Sequence, residues 1–175
     1  MKQSRRLWAP ALVALAVTAL IGLPTGGDQV AAAGDARTIV ANLMIPAGAF
    51  SPATDDVDFS NYGTRVRTIT GSGTFVAPIT FPVPEVRIRR ITLYALDIPA
   101  QAVAVELYRT SPATGSYVIS GAVIGTGGFG ASTTTDIAPR LVKTAIHGAH
   151  LELYLSDPAA EAYGIKVTYA YETSG

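Results

Sequence analysis

Tyr163-Gly164-Ile165-Lys166-Val167-Thr168-Tyr169-Ala170-Tyr171-Glu172 is the stretch on which the fold turns. Tyr163, Ile165, Val167, Tyr169 and Tyr171 take every second place, with Gly164, Lys166, Thr168, Ala170 and Glu172 between them. Period two is the repeat of a pleated strand, whose successive side chains point to opposite faces. One face of large apolar groups and one of small or polar groups therefore reads as a strand half buried in a sheet.

The same alternation recurs upstream. Val103, Val105 and Leu107 interleave with Ala104, Glu106 and Tyr108, and Leu151, Leu153 and Leu155 interleave with Glu152, Tyr154 and Ser156. Long amphipathic helical patterns are missing. Further strands are predicted at Thr38 to Ile45, Thr64 to Thr70, Thr74 to Thr80, Val86 to Leu96, Tyr117 to Ile124 and Ser132 to Ile137. Within the fourth of these, Val86 and Ile88 keep step until Arg89-Arg90 breaks the phase before Ile91, Leu93 and Ala95. One extra residue there is what a β-bulge supplies. Turn chemistry at Asp97 to Gln101, Ser111 to Gly115 and Asp157 to Ala160 separates the strands. The first two connections have hairpin length, so Ile91 to Ile124 is expected to form an antiparallel meander.

About nine short strands punctuated by Gly and Pro predict an all-β chain folded as an antiparallel two-sheet β-sandwich. A jelly roll is preferred, because its two packed sheets manage exposed edges. An immunoglobulin-like sandwich is the alternative, weakened by the absence of cysteine and of any tryptophan after Trp8.

Ahead of this region, Lys2, Arg5 and Arg6 precede the acid-free apolar run Leu7 to Leu23, and Ala31, Ala32 and Ala33 follow. A basic head, an apolar middle and an Ala-x-Ala end predict a cleavable signal peptide over residues 1–33, leaving one β-sandwich domain at 34–175. The rival reading is an uncleaved anchor, against which Pro10 and the small-residue segment count. Arg5-Arg6 also fits a twin-arginine signal, although the general export route is the simpler expectation. A secreted, periplasmic or cell-envelope location follows, with no membrane association after cleavage.

Beyond residue 33, ten Lys and Arg stand against twelve Asp and Glu. A near-neutral, slightly acidic domain lacks the basic footprint that nucleic-acid binding needs. The absence of cysteine removes disulfides, thiolate metal sites, cysteine nucleophiles and a lipidated cysteine.

Ile45 to Pro52 (IPAGAFSP), Gly73 to Pro78 (GTFVAP) and Ile91 to Arg109 (ITLYALDIPAQAVAVELYR) resemble segments of exported bacterial all-β proteins of jelly-roll type with no assigned activity. The resemblance covers roughly half of the domain as a pattern of strands and turns. It implies a fold and brings no catalytic residue with it.

Asp55, Asp56 and Asp58, with Ser60 and Asn61, gather oxygen ligands of the kind calcium takes, without the spacing of an EF-hand. A solvated polar loop is the plainer reading, and no cofactor other than this possible Ca²⁺ is expected. His147, His150 and Glu152 would form a metal site if Gly148-Ala149 turned the chain. Along a strand, however, His150 and Glu152 share a face that His147 does not. Gly125-Thr126-Gly127-Gly128-Phe129-Gly130 has the spacing of a dinucleotide fingerprint but no βαβ context, and reads as an interstrand loop. Arg65, Arg67, Arg87 and Arg89 would make one anion-binding row if the Thr64 and Val86 strands were neighbours. Otherwise they guard an exposed face or edge, partly paired with Glu85 and Glu106. The eight tyrosines suit sugar stacking, although most are expected to fill the sandwich or its rim. No serine lies in a nucleophile elbow, and no spacing nominates a carboxylate pair.

The expected function is a non-enzymatic exported module that binds protein, itself or an extracellular glycan. A metal-dependent extracellular enzyme and a calcium-stabilised adhesion module are the alternatives.

Overall fold

The computed structural model describes residues 36–173. The predicted leader, 1–33, lies outside the described residues. Among those described, twelve strands and one 3-10 turn, Ala47–Ala49, account for the regular structure, and no helix is long and apolar enough to cross a membrane. The strands are β1 (Arg37–Pro46), β2 (Ser51–Pro52), β3 (Phe59–Asn61), β4 (Val66–Thr68), β5 (Gly73–Ile79), β6 (Glu85–Asp97), β7 (Val103–Ser111), β8 (Ser116–Ile124), β9 (Gly128–Thr134), β10 (Leu141–Lys143), β11 (Gly148–Leu155) and β12 (Glu161–Thr173).

Two antiparallel sheets result. In the first, β6 and β12 lie side by side; β9 and β10 line the far side of β6, β1 and β4 line the far side of β12, and β3 continues from β4. The second runs in the order β2-β5-β11-β7-β8. From β4 onward the chain passes from sheet to sheet, β5 to β6 to β7, and again β10 to β11 to β12. Among the long strands, only β7 and β8 are consecutive and paired as a hairpin. That alternation is the jelly-roll winding, and it sets the immunoglobulin-like alternative aside.

The alternating leucines, valines and isoleucines meet between the sheets. Ile88, Ile91, Leu93, Ile165 and Val167 from the first face Phe75, Val103, Val105, Leu107, Leu151 and Leu153 from the second, all without solvent exposure. Each such side chain contributes about 1.5–3 kcal/mol on transfer from water. With no cysteine in the chain, this layer is what holds the sheets together.

The bulge lies where the broken phase predicts it. Thr168 faces Arg90 and Tyr169 faces Ile88, so Arg89 is the unpaired extra residue of β6. A second irregularity at Tyr163 places Gly164 opposite Tyr94, and a Cβ at Gly164 would stand 2.8 Å from the Ile45 carbonyl. Only glycine fits so close a backbone.

The expected meander is corrected. β6 belongs to the first sheet and β7 to the second, so Asp97 to Gln101 is a corner between sheets. Asp97, only 2% exposed, pins that corner. Its carboxylate accepts hydrogen bonds from the amides of Gln101 (2.9 Å), Val103 (3.0 Å) and Gly127 (2.8 Å). The strand expected at Ser132 to Ile137 begins earlier, at Gly128, so Gly128 to Gly130 of the glycine motif are part of β9 rather than a loop. The strand expected at Thr64 to Thr70 is confined to β4, and the short β2, β3 and β10 carry too few residues to show a period.

Candidate functional site

Register brings the polar halves of two alternating strands together on the outer face of the second sheet. In the β11–β7 pair, Glu152 lies opposite Glu106 and His150 opposite Tyr108. In the β7–β8 pair, Ile119 lies opposite Tyr108 and Tyr117 opposite Thr110. The inward residues between them, Leu107, Leu151 and Leu153, are fully buried. The outward set is therefore held on a rigid support.

Two tyrosines organise the two carboxylates. The Tyr154 hydroxyl donates to Glu152 Oε2 at 2.6 Å and lies 3.2 Å from Glu106 Oε2, while the Tyr108 hydroxyl donates to Glu106 Oε2 at 2.7 Å. His150 Nε2 is 3.5 Å from Glu152 Oε1. Burial raises the Tyr154 pKa, and its hydrogen bond to Glu152 adds to the shift. For Tyr108, the bond with Tyr154 pulls downward, but burial and the Glu106 carboxylate outweigh it and the pKa is raised. Both phenols keep their protons and spend them on the carboxylates. Among the described residues, none donates to Glu106 Oε1, which keeps its acceptor capacity.

Aromatic rings extend this network toward the sheet edge. Tyr108 stacks on His150 with centroids 5.0 Å apart and an interplanar angle of 5°, and Tyr117 stands 5.8 Å from Tyr108. Tyr117 is 68% exposed, with Ile119 also exposed two residues along β8. On the opposite flank, a cleft of about 540 Å³ is lined by Glu152, Tyr154, Thr74 and Asp56, among others. Open ring, carboxylate pair and cleft thus lie in sequence across one surface.

The residues singled out from sequence fall as follows. Asp55, Asp56 and Asp58 are all exposed; Asp56 accepts from the Thr54 hydroxyl, and Asp56 alone of the three lines the cleft. His150 and Glu152 share the outer face, as strand geometry predicts. His147 sits just before β11, where its Nδ1 accepts from the Lys143 amide at 3.1 Å. The trio of His147, His150 and Glu152 is thus not assembled, and among the described residues no three His, Asp or Glu side chains gather to hold a metal ion.

The arginine row also divides. β12 separates β4 from β6, and β4 meets β12 at Ala162 whereas Arg87 meets it at Ala170. Arg65 lies 3.2 Å and Arg67 4.0 Å from the buried Glu161, far from Arg87 and Arg89. The acids expected to pair with the arginines do other work, since Glu85 lies 3.8 Å from Lys143 and Glu106 takes the tyrosine hydroxyls. Of the tyrosines expected inside the sandwich, only Tyr169 belongs to the buried core, with Tyr171 packed against it. Glu106, Tyr108, Tyr117 and Tyr154 were visible only as polar members of alternating strands. Their convergence depends on pairing between β7 and β11, which alternation does not specify.

No protein-family model matches the chain, and no curated protein matches it in sequence. Among solved structures it is similar to the GH26-CBM35 β-(1,4)-mannanase of Podospora anserina, at 10% identity and a TM-score of 0.42, over 77% of this chain and 28% of that one. It is also similar to a Cry1Da tryptic core variant of Bacillus thuringiensis, at 11% identity and a TM-score of 0.37, over 78% and 24%. A third, TmCBM61 in complex with β-1,4-galactotriose, shares 13% identity at a TM-score of 0.29, over 79% of this chain and 88% of that one. This chain spans less than a third of the first two.

Proposed function

We propose that the chain is an exported, non-enzymatic module that binds a neutral, hydroxyl-rich glycan on the outer face of its second sheet. The observation that carries the reading is the acceptor-rich network of Glu106, Glu152, Tyr108 and Tyr154 beside the open ring of Tyr117. A surface of acceptors whose own hydroxyl protons are spent calls for a ligand rich in donors. A surface with exposed rings calls for one with apolar C–H faces. Sugars supply both in every residue, and the two carboxylates disfavour an anionic chain at this place.

Export rests on the order of charges and apolar residues before Gly34. A rigid sheet face that presents its side chains with little rearrangement suits binding.

The test is affinity electrophoresis of the protein through gels containing neutral polysaccharides such as mannan, galactan and xylan. At least one should retard it. Tyr117→Ala should weaken that retention about three- to tenfold, and Glu106→Gln about tenfold, because a charge-assisted acceptor is lost. Indifference of every gel, or retention unaltered by both substitutions, would sink the assignment.

A further inference from the structure

The first sheet carries a second cluster, on the other side of the sandwich from the face just described. Arg87 and Arg89 flank the buried Ile88 on β6, so both point outward, and the bulge at Arg89 leaves Arg90 outward as well, opposite Thr168. All three are exposed. Arg140 arrives beside them from the segment before β10, because its carbonyl accepts the Ile88 amide at 2.8 Å. Its guanidinium is fixed by the carbonyls of Ile137 (3.1 Å from Nε) and Thr135 (3.3 Å from Nη2).

Arg87, Ile88, Arg89, Thr135 and Arg140 line one cleft of about 430 Å³, and no carboxylate is among them. A second cleft of about 410 Å³ shares Arg87 and Arg89 and continues along Tyr171 and Glu172. Arg65, Arg67 and Lys143 each lie near an acid. Among the described residues, none of Arg87, Arg89, Arg90 and Arg140 has a carboxylate within 4.0 Å. Guanidinium groups held together without a counter-charge repel one another, and an arriving oxyanion relieves that repulsion while engaging their forked donors bidentately.

We infer that Arg87, Arg89 and Arg140 form an oxyanion site for a glycan bearing sulfate or carboxylate groups. The carboxylate-free cleft is where the charged group of such a chain would sit; the neighbouring cleft, with Glu85 and Glu172 on its lining, suits only uncharged parts of the same chain. Nucleic acid fits less well, since the domain has fewer basic than acidic residues and the cleft that Arg87, Arg89 and Arg140 share has no aromatic residue on its lining. The site is independent of the tyrosine and glutamate face, so each succeeds or fails separately.

The experiment is affinity electrophoresis of the full chain in gels carrying dextran sulfate, polygalacturonate or uncharged dextran, with folding of every variant checked by circular dichroism. One or both charged polymers should retard the protein, and which one does so identifies the group. The Arg87→Ala, Arg89→Ala double variant and Arg140→Ala should each weaken retention about tenfold or more. Lysine at 87 and 89 should restore it only in part, because the bidentate fork is lost. Arg65→Ala with Arg67→Ala removes as much charge from the other end of the sheet and should leave retention unchanged. Passage through both charged gels without delay would overturn the proposal. So would an equal loss in the Arg65 and Arg67 variant, or equal retardation by short duplex DNA with the same arginine dependence.

Discussion

Asp97 takes hydrogen bonds from three amides in two separate segments, the corner before β7 and the loop before β9. Replacing it with alanine strands three donors, of which the Val103 amide is buried and the Gln101 and Gly127 amides are partly so. Asp97→Ala should therefore cost about 2–4 kcal/mol, read as a fall in the urea midpoint. Gly125→Ala should reproduce part of this loss, because its Cβ would collide with the Asp97 carboxylate. An unshifted midpoint in Asp97→Ala would show that these amides find water instead. Tyr108, Tyr154 and Tyr163 make a prediction about alkali. Burial and then Glu152 raise the Tyr154 pKa, and the Glu161 hydrogen bond followed by burial raises that of Tyr163. A phenol whose folded pKa exceeds its unfolded one contributes stability that is complete below pH 10 or so, and that drains away as pH rises and the unfolded chain deprotonates first. Urea midpoints measured from pH 8 to pH 11 should fall at the alkaline end, and less steeply in Tyr154→Phe. Identical slopes in the two proteins would contradict the raised value.

At the scale of the element, β6 shows what alternation can and cannot tell. Its phase break at Arg89-Arg90 is visible in the residues alone, and the structure places the unpaired residue there. Deleting Arg89 would leave Val86, Ile88, Ile91 and Leu93 in unbroken alternation and keep the β12 partners in step. Deleting Thr92 would turn Leu93 outward and Tyr94 inward. Loss of Arg89 should thus cost no more than about 2 kcal/mol, whereas loss of Thr92 should abolish cooperative unfolding. Thermal melts distinguish the two, and equal damage would mean that the bulge is needed for more than phase. Strands as short as β2, β3 and β10 gave no such signal. Three residues or fewer cannot display a period, and pairing with longer neighbours makes them strands.

On the scale of the whole molecule, the limit of legibility is sheet membership. Two half-buried strands joined by a short turn look alike whether they pair with each other or pack face to face. The five residues from Asp97 to Gln101 suit a hairpin by length and form a corner instead. The same ignorance hid the candidate site. Glu106 and Glu152 each read as a polar place on its own strand, and only the β7–β11 register sets them opposite one another. The pairing of β1 with β12 carries this furthest. Arg37 lies against Thr173, 136 residues away along the chain. During synthesis β1 emerges first and stays single until nearly everything else has left the ribosome. The pairing of the first strand with the last is therefore a contact that no shorter stretch of the chain can make.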